Sequence, residues 1–156
     1  MNSPLNKYLD SVYKKLKSID NFSDIELEIR FRNISEKIFY NVKDSFSKIK
    51  EPEHINTTDF YVEDNGKYRR RSIHNGQTIV IVKNTLFQMI DNEYDFKISV
   101  ANEEQKKLSL KDKQKQSFTR DKNRYRYKLY DDMIFVDLTI VIESHDSTPK
   151  TLYEIE

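Results

Sequence analysis

Alternation of apolar and polar residues dominates the chain. In IELEIRF, residues 25–31, Glu26 and Glu28 interleave with Ile25, Leu27, Ile29 and Phe31. Successive strand residues point to opposite faces, so this segment as a strand carries carboxylates on one face and apolar groups on the other. The pattern recurs. In YDFKISVANEE, Asp95, Lys97, Ser99 and Glu103 oppose Phe96, Ile98 and Val100. In TRDKNRYRYKL, Arg120, Lys122, Arg124, Arg126 and Lys128 share one side, and in MIFVDLTIVI, Asp137 and Thr139 oppose Ile134, Val136, Leu138, Ile140 and Ile142. The final TLYEIE repeats the carboxylate pair with Glu154 and Glu156.

This periodicity predicts eight strands, at 25–31, 57–63, 67–74, 77–83, 94–103, 119–129, 133–142 and 151–156. Two helices are predicted beside them. Leu5, Tyr8, Leu9, Val12, Tyr13, Leu16 and Ile19 recur at helical spacing behind Ser3 and Pro4, suited to N-cap and first helical position. A second helix is expected over 35–49, with Ile38, Phe39, Val42, Phe46 and Ile49 on one side. Short connections imply antiparallel pairing, and the charged stretch 102–117 reads as a solvated loop. The pattern fits first an open sheet with a wet charged face, a common arrangement, and also a closed barrel with a charged lumen and helices over its apolar exterior.

Composition narrows the function classes. At 156 residues the chain suits one domain, with 37% hydrophobic and 34% charged residues. The net charge of +1 supplies no global attraction to nucleic acid or anionic lipid. There is no cysteine, hence no disulfide and no thiolate metal site. No apolar run approaches membrane-spanning length and no signal peptide is apparent, so a soluble intracellular protein is expected. The two glycines, Gly66 and Gly76, each follow an asparagine between strand-like runs, a hairpin signal. None is left for a glycine-rich phosphate loop, and any phosphate must be held by side-chain cations.

Like charges side by side on a strand are unfavourable, yet the chain carries two such carboxylate pairs. Were both pairs to face one lumen, a divalent cation would relieve their repulsion, and an all-oxygen site suits Mg²⁺ or Mn²⁺. The basic face of 119–129 and the run Tyr68 to Arg71 would by themselves be soluble hairpin edges or a nucleic-acid-binding face. Beside a metal they have what phosphoryl transfer needs, since its catalysis is largely positioning and charge neutralisation. The scattered His54, His74 and His145 read as surface residues.

Taken in order, IELEIRF, YDFKISVANEE, TRDKNRYRYKL, FVDLTIV and LYEIE resemble the metal-dependent RNA 5′-triphosphatases of fungi, protozoa and large DNA viruses, within the triphosphate tunnel metalloenzymes. The resemblance implies a mainly β, α+β fold: an eight-stranded antiparallel closed barrel, or tunnel, with a charged interior, flanked by helices and spanning 1–156 as a single domain. It implies Mg²⁺ or Mn²⁺ held by Glu26, Glu28, Glu154 and Glu156. By motif position, Glu103 resembles the glutamate that orients the attacking water, and Arg120, Lys122 and Arg124 the catalytic clamp on the terminal phosphate. Lys83 and Lys97 join them as phosphate ligands, with Asp137 holding a basic side chain in place. One of Arg69, Arg70 and Arg71 is a further ligand, and strand parity favours Arg69 or Arg71.

The activity so implied is metal-dependent removal of the γ-phosphate from triphosphate-ended RNA, the first step of mRNA capping. The substrate partner is that RNA, with a guanylyltransferase domain in the same chain or separate, and a cytoplasmic or virion-associated location if the protein is viral. The alternatives are a tunnel hydrolase of tripolyphosphate, thiamine triphosphate or nucleoside triphosphates, and a non-catalytic RNA-binding barrel. The chain departs from the family in its short span and in a residue of the VDLT strand. A basic residue often stands two positions before the aspartate of VDLT, and this chain has Phe135 there.

Overall fold

The computed structural model describes residues 4–19, 25–62, 68–73, 78–93, 95–106, 118–131, 133–145 and 148–156, with the backbone alone for 4–7, 62, 68–73, 78, 106 and 145. The order of elements is α1 (Pro4–Leu16), β1 (Ile25–Phe31), α2 (Glu36–Ser47), β2 (Glu53–Val62), β3 (Tyr68–Ile73), β4 (Thr78–Asp91), β5 (Phe96–Lys106), β6 (Phe118–Leu129), β7 (Ile134–His145) and β8 (Thr148–Ile155). Helix α1 opens on Pro4, whose missing N–H costs nothing at a first helical position. Helix α2 is capped by Ser35, whose hydroxyl accepts from the Ile38 N–H at 3.3 Å.

The strands form one curled antiparallel sheet in the order β1-β5-β4-β3-β2-β6-β7-β8. Its two ends touch at a single register pair, Phe31 with Ile155. The expected mainly β, antiparallel sheet with two helices is therefore present and curled, and among the described residues one register pair, not a continuous ladder, links β1 to β8 across the last seam. Ion pairs cross that seam instead: Arg30 of β1 reaches both Glu154 and Glu156 at the end of β8.

The helices decide which face lies outside. Val12 of α1 packs on Phe96, Ile98 and Val100 of β5, with Tyr8, Leu16, Ile25, Ile29 and Phe87 around them. Phe39 of α2 packs on Tyr127 of β6 and Leu138 of β7, flanked by Val42, Phe46, Val136, Ile140 and Tyr153. All the strand residues in both clusters belong to the apolar parity set, so the charged set faces the hollow of the curl. That orientation buries apolar area against the helices and leaves the ionic groups to one another.

Strand limits departed from expectation where the alternation is interrupted. Strand β4 runs to Asp91 rather than 83, because a bulge between Thr85 and Phe87 shifts the register. Before it Val80 and Val82 lie on the outer face; after it Phe87 and Met89 do, opposite Val100 and Ile98. One extra residue thus reverses the parity on which the sequence reading relied. Strand β2 starts at Glu53 rather than 57, directly after Pro52, and β5 continues to Lys106. Both Asn-Gly turns and residues 107–117 of the charged segment lie outside the described residues.

Candidate functional site: a self-neutralised ionic hollow

The register aligns charged residues across neighbouring strands. On β1 and β5, Glu26 is level with Ala101, Glu28 with Ser99 and Arg30 with Lys97. On β6 and β7, Arg120 is level with Glu143, Arg124 with Thr139, Arg126 with Asp137 and Lys128 with Phe135. Thr139 pairs in turn with Glu154 of β8, and Glu156 exchanges both backbone hydrogen bonds with Asp137 at 2.9 and 3.0 Å. The short side chains Ser99, Ala101 and Thr139 on this face leave room between the long ones.

All four glutamates expected to be metal ligands point into this hollow, and they meet there through two cations. Arg30 contacts Glu28 at 3.2 Å and Glu154 at 3.8 Å, and pairs most closely with Glu156. Lys83 contacts Glu26, Glu28 at 3.1 Å and Glu103 at 3.6 Å. Burial by itself would raise the carboxyls of Glu28 and Glu154. The cations Arg30 and Lys83 beside Glu28, and Arg30 and Arg120 beside Glu154, outweigh it and hold both below the usual carboxylate range. Glu156 goes the other way: burial, with Glu28 and Glu154 nearby, overcomes Arg30 and Arg124 and pushes its carboxyl up.

The donor set is all carboxylate oxygen, which in type and number suits a hard divalent cation. Among the described residues, however, no three acidic or histidine side chains stand tightly enough together to hold one as arranged. Arg30 and Lys83 take up the charge that such an ion would neutralise.

The basic wall lies on β6. Arg120 donates to Glu154 at 2.6 Å and contacts Glu143 at 3.2 Å. Lys122 forms a buried pair with Asp59 of β2 at 2.7 Å. Asp137 holds Arg126 through two bonds of 2.8 and 2.7 Å and also contacts Arg124 at 3.3 Å. The fork of Arg126 on Asp137 fixes the guanidinium plane, which a lysine could not offer.

Lys97 differs from its neighbours. Among the described residues it has no ion-pair partner, and burial with Arg30 and Lys83 nearby pushes its ammonium below the usual lysine range despite Glu28. A partly desolvated, unpaired ammonium is a ready anion ligand. Arg69 and Arg71 stand at register positions level with Tyr61 and Asp59, on the parity of the hollow, while Arg70 is level with Phe60 on the other parity. The side chains of all three lie outside the described residues.

Three participants escaped the sequence reading. Arg30 closes the ELEIR run of the glutamate strand, but the sequence assigns it no ion-pair role, although its parity with Glu28 is legible. Arg126 was counted in the basic face but not as the main partner of Asp137. Asp59 was overlooked within TTDFYV, where nothing local marks it; only the β2–β6 register sets Thr57 level with Lys122 and Asp59 level with Arg120.

No protein-family profile matches the chain, and no curated protein matches it in sequence. Solved structures do. The RNA triphosphatase domain of a trifunctional mimivirus mRNA capping enzyme superimposes with a TM-score of 0.74 at 14% identity, covering 96% of this chain and 87% of that one. The S. pombe RNA triphosphatase Pct1 gives a TM-score of 0.72 at 16% identity, covering 100% and 79%, and its complex with the Spt5 CTD gives 0.74 at 14% identity, covering 99% and 78%. The chain thus has the fold of viral and fungal RNA triphosphatase domains, in agreement with the resemblance expected from its motifs. Among the described residues no helix is long and apolar enough to cross a membrane.

Proposed function

We propose that the hollow is a closed eight-stranded triphosphate tunnel, and that the protein removes the γ-phosphate from 5′-triphosphate-ended RNA. The observation that carries this reading is one space lined on one side by Glu26, Glu28, Glu154 and Glu156 and on the other by Arg120, Lys122, Arg124 and Arg126, under a fold shared with RNA triphosphatase domains. In the proposal Glu26, Glu28, Glu154 and Glu156 would hold Mg²⁺ or Mn²⁺, which would supply Lewis-acid polarisation of a phosphoryl oxygen. Arg124 and Lys97, with Arg120 and Lys122, bind and orient the terminal phosphate and offset charge developing on its oxygens. Asp137 keeps the guanidinium groups of Arg124 and Arg126 in place. Glu103 orients the attacking water and accepts its proton; its carboxylate already lies within reach of Lys83. Arg30 and Lys83 hold the glutamates together here, and with a divalent ion on the carboxylates they would be available to the phosphates.

The test is phosphate release from triphosphate RNA with Mg²⁺ or Mn²⁺, compared with Glu28→Ala. Losing one preorganised charge of this kind should lower kcat by about 100-fold or more. Undiminished release by Glu28→Ala, or none from the wild-type chain, would sink the proposal. Metal-independent RNA binding that survives loss of Glu26 and Glu156, without any release, would favour a binding barrel instead.

A further inference from the structure

Phe135 is out of place. On the charged parity of β7 the rungs run Glu143, Val141, Thr139, Asp137, Phe135, opposite Arg120, Lys122, Arg124, Arg126 and Lys128. At the outermost of these rungs an aromatic ring stands where the pattern calls for charge. It is 45% exposed, and both helices pack on the other face of the sheet, so core packing does not account for it. The Arg126 guanidinium lies 5.0 Å from the centre of the ring. That guanidinium is itself fixed by its two bonds to Asp137. A second exposed apolar residue, Ile90 of β4, shares the parity of the hollow, level with Lys97.

A preoriented ring beside a planar cation is a surface on which a nucleobase stacks, and every base has a π-face to offer. Its spacing fits a triphosphate. Phe135 lies four residues from Thr139, the rung shared with Arg124 and Glu154, or about 13 Å along a strand. That is of the order of the reach from a terminal phosphate, past two further phosphates, to a ribose-linked base. We propose that Phe135, backed by Arg126, is a stacking platform for the first nucleobase, and that it favours nucleoside-bearing triphosphates over inorganic tripolyphosphate. This rests on the proposed function and adds the substrate selectivity of the same site.

The chain contains no tryptophan, so Phe135→Trp introduces a single indole reporter at the platform. Its emission is followed while a non-hydrolysable β,γ-methylene guanosine triphosphate, and separately tripolyphosphate, is added with Mg²⁺. In parallel, KM and kcat of wild-type and Phe135→Ala protein are compared on triphosphate RNA and on tripolyphosphate. Stacking predicts quenching by the nucleotide and not by tripolyphosphate. It also predicts that Phe135→Ala raises KM for RNA roughly 10-fold and leaves KM for tripolyphosphate unchanged. Equal quenching by both ligands, quenching by neither, or an unchanged KM for RNA would overturn the platform. Phosphate release by the wild-type protein reports on the proposed function separately, so a working triphosphatase with no quenching refutes the platform alone.

Discussion

The two sides of the hollow solve the same electrostatic problem in opposite ways. On the acidic side, formed by β1, β8 and the neighbouring β4 and β5, five carboxylates share two cations: Arg30 serves Glu28, Glu154 and Glu156, and Lys83 serves Glu26, Glu28 and Glu103. On the basic side, Arg120, Lys122, Arg124 and Arg126 share Glu143, Glu154, Asp59 and Asp137. On the first side burial, with Glu28 and Glu154 nearby, raises the Glu156 carboxyl. The second keeps cations in fixed geometry along a strand. On the proposed function a divalent cation would relieve the one and a polyphosphate would bind along the other, so the proposal turns on this difference.

The contrast can be broken from the basic side first, with the largest expected change in stability. Lys122 and Asp59 are almost fully withdrawn from solvent, and removing one partner of such a pair leaves the other charge in a low dielectric. Asp59→Ala should destabilise the fold by about 3 kcal/mol, measured by urea unfolding; a loss within error would show that the pair carries no structural weight. Arg30→Ala attacks the acidic side. Because its partners are less deeply buried, the expected cost is smaller, roughly 2 kcal/mol in chelator, and Mn²⁺ should recover part of it. No recovery with Mn²⁺ would argue against a metal on the glutamates.

The smallest effect is one of pH. In metal-free protein Glu154 titrates below its ordinary value, so the stability it contributes is present above the usual glutamate range and is lost as pH falls through its folded pKa. Glu156 has the opposite sign. Its folded pKa is raised, so the folded state holds the proton more tightly and stability falls as pH rises from the ordinary glutamate value through the folded one. Glu154→Gln should therefore lower stability at neutral pH and flatten the acid limb, whereas Glu156→Gln should be neutral or stabilising there. Identical responses of the two variants in chelator would remove the distinction.

Much of this organisation was legible in the sequence because it rests on a period of two. The pattern identified β1, β6 and β7 within a residue or so at most ends, and it separated the glutamates and basic residues onto one face correctly. It failed where the period fails. The bulge at Thr85–Phe87 reverses parity within β4, and the strand was cut short there. The pattern could not choose between open and curled sheets, since that depends on where α1 and α2 pack. Nor could it find Asp59, whose importance comes from a strand register and not from its neighbours in sequence. Arg30 differs: the same alternation places it beside Glu28, and only the approach of β8 shows that it also serves Glu154 and Glu156.

The central claim is that both sides of the hollow act on one terminal phosphate. The most direct measurement follows RNA labelled in its γ- or β-phosphate through incubation with the protein, with Mn²⁺ or with chelator. The account predicts metal-dependent release of γ-label as inorganic phosphate, with β-label retained on diphosphate-ended RNA. Release of pyrophosphate, equal release in chelator, or retention of the γ-label with Mn²⁺ present would contradict it.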